Sequence, residues 1–287
     1  MVGLIMKITT DLNVSNIFIQ SKITLDSMEI KLLYAIAYKL QRGDNGLNIT
    51  DFLKEPNDNA VYYTAQEIAE FLGIKKNAYH HFYRVCNSLA GKNISLKDSS
   101  SKRFRILSFL IEAEYKDGIL KLVPNPAMTP FYLNLSKNYT RLELIQVLRM
   151  KSIYAIRIYS FIKMKAQQLK NAYMFEMNEF KELLGLEKKY SRVQDLQKRV
   201  LEPAKEELNK VITNLNFDYE LIKIGTSYRQ LRFTFNSKAL NYITIDDNMY
   251  FKARDKFMYE CEAGRYCNPD ASPECHFCKL KIKKIHE

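Results

Sequence analysis

The residues best suited to chemistry lie near the C-terminus, where four of the five cysteines stand close together. Tetrahedral zinc takes four thiolate or imidazole ligands, and a C-x2-C pair forms a compact knuckle around the ion. The last two cysteines have that spacing, the first two are farther apart, and His276 or His286 could replace one of them. We expect a structural zinc ion here, with an iron–sulfur cluster or metal-free thiols as the alternatives. The candidate ligands are Cys261, Cys267, Cys275 and Cys278.

A second group of chemically capable residues lies at 188–201, where an apolar stripe alternates with cations and amides. The stripe recurs at helical spacing and consists of Val193, Leu196, Val200 and Leu201. Arginine suits bidentate contact with guanine, glutamine suits adenine and lysine suits phosphates, so the stretch predicts a DNA-contacting helix. A basic surface helix without a partner is the plainer alternative. The candidate contacts are Lys188, Lys189, Ser191, Arg192, Gln194, Gln197, Lys198 and Arg199.

The charge of the chain is unevenly distributed. The 287 residues include 44 basic and 32 acidic side chains, a net charge of +12. Residues 141–240 hold 19 of the basic and 11 of the acidic side chains, so two-thirds of the excess lies there. Such an excess indicates an anionic partner, either nucleic acid or an acidic membrane surface. Because no apolar run of membrane-spanning length and no secretory leader occurs, we expect a cytoplasmic protein with no membrane partner.

The elements that must position the basic stretch occur in two similar series. The first series predicts helices over 24–40, 64–73 and 77–89, then strands over 103–115 and 119–123. Thr24 or Asp26 can cap the first helix, Thr64 and Glu67 form a capping box, and Asp117-Gly118 is a two-residue hairpin turn.

The second series follows a linker predicted from Pro124, Pro126 and Pro130. The capping-box pattern Thr140-Arg-Leu-Glu143 predicts a short lead-in helix, and Ser152 can cap a long helix that runs to about residue 169. Asn178 is expected to cap a helix that ends at Gly185, followed by a helix over 191–209 and strands over 217–224 and 228–235.

The two series share residues as well as order. Phe71-Leu72-Gly73-Ile74 matches Leu183-Leu184-Gly185-Leu186 at an offset of 112. A Leu-Gly pair at one helix end is common, but two copies in the same element order favour a duplication. Three helices and a hairpin form a winged helix, whose third helix can lie in the major groove.

We therefore predict an α+β protein with two tandem winged-helix domains and a small Cys-rich C-terminal tail. The first domain is expected over residues 1–125, with a role in dimerisation and DNA backbone contact through Lys75 and Lys76. The second is expected over 126–240 as the main DNA reader, where Lys223 and Arg229 of the hairpin add phosphate contacts. The candidate zinc module occupies 241–287.

Two stretches resemble the replication initiator proteins of theta-replicating plasmids whose origins contain repeated sites, the iterons. Tyr139-Thr-Arg-Leu-Glu143 followed by Lys151-Ser-Ile-Tyr-Ala-Ile-Arg-Ile-Tyr159 is similar to their long-helix motif. Residues 180–209 are similar to their second helix-turn-helix, including Pro203 but not Gln197, where a basic residue is frequent. The resemblance covers about residues 15–236.

The resemblance implies a protein that binds origin repeats in double-stranded DNA and recruits a host replication initiator and helicase. It also implies a monomer–dimer equilibrium, repression of the protein's own gene, and base-facing or phosphate-facing positions for Arg192, Lys198 and Arg199. A winged-helix transcription regulator without a replication role is the alternative. We do not expect an enzyme, because the sequence has no His-x-His pair of a rolling-circle nickase and no phosphate-binding P-loop.

Overall fold

A computed structural model describes residues 11–42, 60–98, 102–128, 138–168 and 170–236, with a few short pieces beyond them. The chain divides into two compact units, residues 1–241 and 242–287. Within the second unit, the described residues form one antiparallel pair, β11 (Tyr259–Glu260) with β12 (Tyr266–Cys267). Among the residues so described, no helix is both long and apolar enough to span a membrane.

The first winged-helix domain is built on α2 (Ser27–Arg42), α3 (Ala65–Leu72) and α4 (Ala78–Ala90). Asp26 caps α2, as predicted, because its Oδ1 accepts from the backbone N of Met28 and Glu29 at 2.8 and 2.9 Å. The capping box of Thr64 and Glu67 at the start of α3 is also confirmed. These caps satisfy backbone donors that a helix leaves unpaired in its first turn.

The wing of this domain is formed by β5 (Leu110–Lys116) and β6 (Ile119–Pro124), and β2 (Val61–Thr64) pairs with the other side of β6. The Asp117-Gly118 turn is confirmed, with φ of 49° and 79° at its two residues. Such a two-residue turn with both φ positive matches the twist of a hairpin.

The single strand predicted over 103–115 is wrong. The chain forms β4 (Arg103–Ser108) and then β5, separated by Phe109, which is fully buried and accepts from Asn125 N at 3.0 Å. β4 pairs instead with β3 (Asn93–Asp98), which the sequence did not indicate. Burial of Phe109 therefore redirects the chain from one sheet into another.

The lead-in helix predicted from Thr140 and Glu143 is also wrong at its start. Tyr139–Glu143 is a strand, β7, which pairs with β1 (Asp11–Ser15), and the helix α5 begins only afterwards (Leu144–Arg149). The Thr140 hydroxyl donates to Asn16 Oδ1 at 2.7 Å rather than capping the helix. Asn16 belongs to the short helix α1 (Asn16–Gln20), so a tertiary contact replaces the local one.

The predicted proline linker is partly structured. Pro124 ends β6 and Pro126–Met128 forms one 3₁₀ turn, whereas Pro130 lies outside the described residues. Pro lacks a backbone N–H, which explains why strand pairing stops at this point.

The long helix α6 (Ile153–Gln167) precedes the second helix-turn-helix, and Ser152 caps it as predicted. The next helix, α7 (Met177–Leu183), starts after Glu176, so the prediction that Asn178 caps it is wrong. The sheet of the second winged-helix domain consists of β8 (Ala172–Glu176), β10 (Ser227–Thr234) and β9 (Asp218–Ile224), in that order. Its core is aromatic, with Phe175, Phe180 and Phe233 in pairwise ring contact.

Candidate nucleic-acid interface

The third helix of the second domain has a wide turn in its middle. It consists of α8 (Val193–Leu196), a π-type turn (Gln197–Leu201) and α9 (Glu202–Val211). In the wide turn the N–H of Glu202 donates to the carbonyl of Gln197. Pro203 follows directly, and in a regular helix its ring would clash with the carbonyl four residues earlier, on Arg199. A π-type turn widens the helix there, so the chain continues past Pro203.

This wide turn changes the argument that places two arginines together. Arg192 is the residue before the helix, with extended backbone, and Arg199 lies in the wide turn. Residues seven apart share one face of a regular helix, but the wide turn interrupts the regular helix predicted over 191–209. Both side chains are nevertheless exposed, while Leu196, Val200 and Leu201 of the predicted stripe are buried and Val193 is half-buried.

Most of the predicted contacts on this helix face solvent. Within the described part of the chain, none of their cations forms an ion pair with a carboxylate. Unpaired exposed cations keep their full charge for an anionic partner. The exposed residues are Lys188, Lys189, Ser191, Arg192, Gln194, Lys198 and Arg199.

Gln197 differs from these residues. It is half-buried, and its side chain hydrogen-bonds to the hydroxyl of Tyr219 on β9. The Tyr219 hydroxyl also donates to Glu202 Oε1 at 2.5 Å, and desolvation together with this carboxylate raises the Tyr219 pKa. The amide of Gln197 thus helps to attach the wing to the helix.

Charge is polarised along the same helix. Lys188, Lys189 and Arg192 lie in the turn before the helix and Lys198 and Arg199 in its wide turn, whereas carboxylates predominate after residue 201. Glu207 is used internally, since its two carboxylate oxygens accept from Lys151 N and Ser152 N at 2.6 and 3.0 Å. The N-terminal half of a recognition helix is the part that contacts base edges in helix-turn-helix proteins, and here that half holds the positive charge.

The wing next to this helix adds cations at its tip. Gly225 turns the chain with φ of 64°, and Lys223 lies opposite Tyr228, whose ring centroid is 4.9 Å from the lysine Nζ. The register between β9 and β10 shifts at Arg229, which is left without a cross-strand partner and is exposed. Such a bulge re-aims a side chain. Arg232, which the sequence did not single out, is also exposed on β10.

The first domain offers a different surface at the same elements. Lys75 and Lys76 are exposed in the turn between α3 and α4, as a phosphate contact requires. The third helix, α4, exposes Tyr79 and Tyr83 at 61% and 63% of their surface rather than a row of cations. On its wing Lys121 is paired with Glu112 at 2.6 Å, so part of the positive charge is neutralised.

The predicted metal ligands fall almost entirely outside the described residues. Cys267 lies on β12, and Cys261, Cys275 and Cys278 are not described. Among the described residues, no cluster of three metal-binding side chains occurs. The zinc site stays a prediction.

Comparison with known proteins gives one consistent family. Residues 12–163 match the sequence model for the first winged helix of the initiator replication protein family, and residues 176–235 match that for the second. A replication initiation protein of Escherichia coli is 25% identical over 156 residues, which cover 53% of this chain and 49% of that relative. The match thus spans about half of the relative's length.

The fold is similar to a solved structure as well. The crystal structure of the Pi initiator protein in complex with iteron DNA superimposes with a TM-score of 0.63 at 21% identity, covering 79% of this chain and 97% of the other. This similarity confirms the predicted α+β fold with two winged-helix domains. The domain boundaries at 125 and 240 stay predictions.

Proposed function

The chain belongs to the initiator replication protein family, and we propose that it initiates plasmid replication by binding repeated origin sites in double-stranded DNA. In this proposal the second winged-helix domain reads base edges through its third helix and contacts phosphates through its wing. The first domain contacts the DNA backbone through Lys75 and Lys76 and supports dimerisation. The predicted resemblance to plasmid initiators is confirmed at the level of the family.

One observation carries the proposal. The exposed cations from Lys188 to Arg199 and the wing cations Lys223 and Arg229 lie on elements that a winged helix presents to duplex DNA. A surface that only kept the protein soluble would not need its positive charge concentrated on the helix and wing of one domain. The crystal structure of the Pi initiator in complex with iteron DNA supports iteron repeats as the ligand.

The proposal can be tested without knowing the target sequence. The full-length protein is mixed with random duplex DNA, bound fragments are amplified through several rounds, and the pool is sequenced. We expect one short motif to be enriched, and we expect copies of it as tandem repeats beside the gene. Recovery of a random pool would contradict sequence-specific binding.

A transcription regulator without a replication role would also bind a specific motif. A DNA circle with no other origin, containing the gene and its flanking repeats, separates the two. We expect the circle to be maintained in a suitable bacterial host, and loss of the repeats to abolish maintenance. We further propose that the initiator recruits a host replication initiator and helicase, represses its own gene, exchanges between monomer and dimer, and has no enzymatic activity.

We also propose that the C-terminal cysteines bind one structural zinc ion in a protein located in the cytoplasm. The C-x2-C knuckle at Cys275 and Cys278 supports this proposal, since thiolates in that spacing suit tetrahedral zinc. Metal analysis of protein purified without chelator is expected to find about one zinc per chain. Substitution of both Cys275 and Cys278 with serine should remove it, and iron in place of zinc would favour the iron–sulfur alternative.

A further inference from the structure

Arg157 is a buried cation that the DNA-facing surface does not use. It lies on α6 with 4% of its surface exposed, and burial lowers the pKa of its guanidinium to about 10, so it is charged at neutral pH. Within the described ranges, no carboxylate pairs with it. A buried charge without a counter-charge is costly unless hydrogen bonds satisfy it.

The partners of Arg157 are backbone carbonyls from two parts of the chain. One terminal nitrogen donates to Ser21 O at 2.6 Å and to Leu183 O at 3.0 Å, and the other lies 3.5 Å from Phe18 O. Phe18 and Ser21 lie at the end of α1, and Leu183 is the last residue of α7. Helix ends leave carbonyls without partners in the helix, and one guanidinium here satisfies carbonyls from two such ends.

Two more contacts join the same segments, 18–24 and 183–187, which together form what we term the inter-domain contact. A Cβ added at Gly185 would lie 2.9 Å from Thr24 Cγ2, so the turn after α7 is pressed against the residues that precede α2. Lys22 forms an ion pair with Glu187, and this hydrogen bond lowers the Glu187 pKa. The helix-turn-helix of the second domain therefore packs against the segment that precedes α2 of the first domain.

A related arrangement occurs on α2, which holds the place in the first series that α6 holds in the second. Lys31 is the fifth residue of α2, as Arg157 is of α6, and it too is buried. Its Nζ donates to Leu148 O in α5 at 2.9 Å. Both first helices thus direct a buried cation at a backbone carbonyl outside their own helix, and only Arg157 reaches the helix-turn-helix.

We propose that Arg157 is a positioning residue, which holds the helix-turn-helix of the second domain at a fixed angle to the first domain. It thereby sets the spacing between the DNA segments that the two domains contact. The proposal rests on the DNA-binding function proposed above. Because Arg157 is buried, it acts on DNA only through the position of α7 and of the third helix that follows.

The test uses full-length protein and a duplex fragment selected from random DNA by the unaltered protein. Hydroxyl-radical footprinting locates the protected segments, and a second duplex receives one extra base pair between them, which rotates one segment by about 35° relative to the other. We expect the unaltered protein to bind the longer duplex about tenfold more weakly, a penalty similar to that of one mismatched base pair. We call the ratio of the two affinities, original duplex over longer duplex, the spacing ratio. Arg157→Met should reduce the spacing ratio to about twofold, because domains no longer held at one angle tolerate either spacing.

Two variants serve as controls for Arg157→Met. Arg157→Lys retains the charge but loses the planar fork that reaches both helix ends, so we expect an intermediate ratio. Arg84→Ala removes an exposed cation on α4, outside the inter-domain contact, and should leave the ratio unchanged.

A second route avoids removing a buried charge, in case Arg157→Met does not fold. Gly185→Ala disturbs the same contact, and adding Thr24→Ser removes the methyl group that the new Cβ would meet. We expect Gly185→Ala to lower the spacing ratio and the double variant to restore it. Gly73→Ala, where nothing lies within 4 Å of the new Cβ, should leave it unchanged.

The outcomes separate this proposal from the one on which it rests. If the unaltered protein selects no duplex, the DNA-binding function fails. If it binds, but Arg157→Met weakens both duplexes equally, Arg157 serves stability alone and the positioning role is overturned. A footprint with a single protected segment, or an unchanged ratio in Arg157→Met and Gly185→Ala, overturns it as well.

Discussion

The two helix-turn-helix turns have the same backbone and different surroundings. Gly73 and Gly185 lie 112 residues apart, each follows a leucine, and their φ values are 71° and 66°. Around Gly73 there is open space, whereas Thr24 Cγ2 lies 2.9 Å from the Cβ position of Gly185. The two turns thus share a local conformation, while the second is also in close contact with a segment far away in the chain.

The third helices differ in the same way. In the first domain α4 exposes Tyr79 and Tyr83, and in the second the corresponding helix exposes Lys198 and Arg199, with Arg192 exposed just before it. Arginine reads base edges, while exposed tyrosines suit packing against another surface. The two domains thus share a scaffold and differ in the side chains that this region exposes, which supports the proposed division of work between base reading and support.

The largest expected effect comes from removing base-reading residues. Arg192→Ala with Arg199→Ala should weaken binding to the selected duplex by about 2–6 kcal/mol, because each bidentate base contact contributes about 1–3 kcal/mol. Lys75→Ala with Lys76→Ala in the first domain is the matched control, for which we expect an equal loss on specific and nonspecific DNA. Fluorescence anisotropy with both duplexes measures the difference, and equal discrimination by the two double variants would contradict the division of work.

The next effect concerns stability at the two glycines. Alanine at a left-handed position costs about 1–2 kcal/mol, and we expect that loss from Gly73→Ala. Gly185→Ala should cost about 1–3 kcal/mol more, because its Cβ overlaps Thr24 and overpacking has that typical penalty. Urea unfolding followed by circular dichroism measures both. Equal midpoints for the two variants would show that the close approach at Gly185 is relieved without strain.

A third prediction concerns the phosphate contacts, which we propose for both domains. Phosphate contacts release counterions, so the plot of log affinity against log salt has a negative slope. Each lost contact should lower the magnitude of that slope by about one. Lys188→Ala with Lys189→Ala and Lys75→Ala with Lys76→Ala should each lower it by about two, with the preferred sequence unchanged. If the first-domain pair leaves the slope as it was, Lys75 and Lys76 do not contact the backbone.

The smallest expected effect is pH-dependent. The Glu187 pKa is lowered by its hydrogen bond to Lys22, so the pair stabilises the fold above the ordinary carboxyl range and loses that contribution as the pH falls through the lowered pKa. Lys22 is 49% exposed, so Lys22→Ala should cost only about 0.5 kcal/mol at pH 7. The cost should shrink as the pH is lowered toward 3, and a cost that does not change with pH would contradict the assignment.

Local signals in the sequence predicted much of this fold. Thr64 with Glu67, Asp117-Gly118, Ser152 and the two turn glycines each determine their own conformation through caps or positive φ, and the structure confirms all of them. The apolar stripe of the third helix was also predicted locally, because the spacing of apolar residues indicates which side of a helix is buried.

The predictions that failed did so because contacts between residues far apart in the chain decided the structure. The pattern at Thr140 satisfied the rule for a helix cap, but pairing with β1 and the bond to Asn16 decided the outcome. The sequence did not single out Arg157, because its carbonyl partners are 136 and 26 residues away in the chain. The wide turn before Pro203 also interrupts the regular helix predicted over 191–209, although Arg192 and Arg199 are both on the surface.

Methylation interference on the selected duplex tests most directly the claim that the second domain reads bases. Methyl groups on guanine N7 block major-groove contacts, and the unaltered protein should be sensitive at a few guanines in each protected site. Our account predicts that Arg192→Ala with Arg199→Ala loses sensitivity at specific guanines, while Lys75→Ala with Lys76→Ala retains the full pattern. An unchanged pattern in the arginine variant, or its loss in the lysine variant, would contradict it.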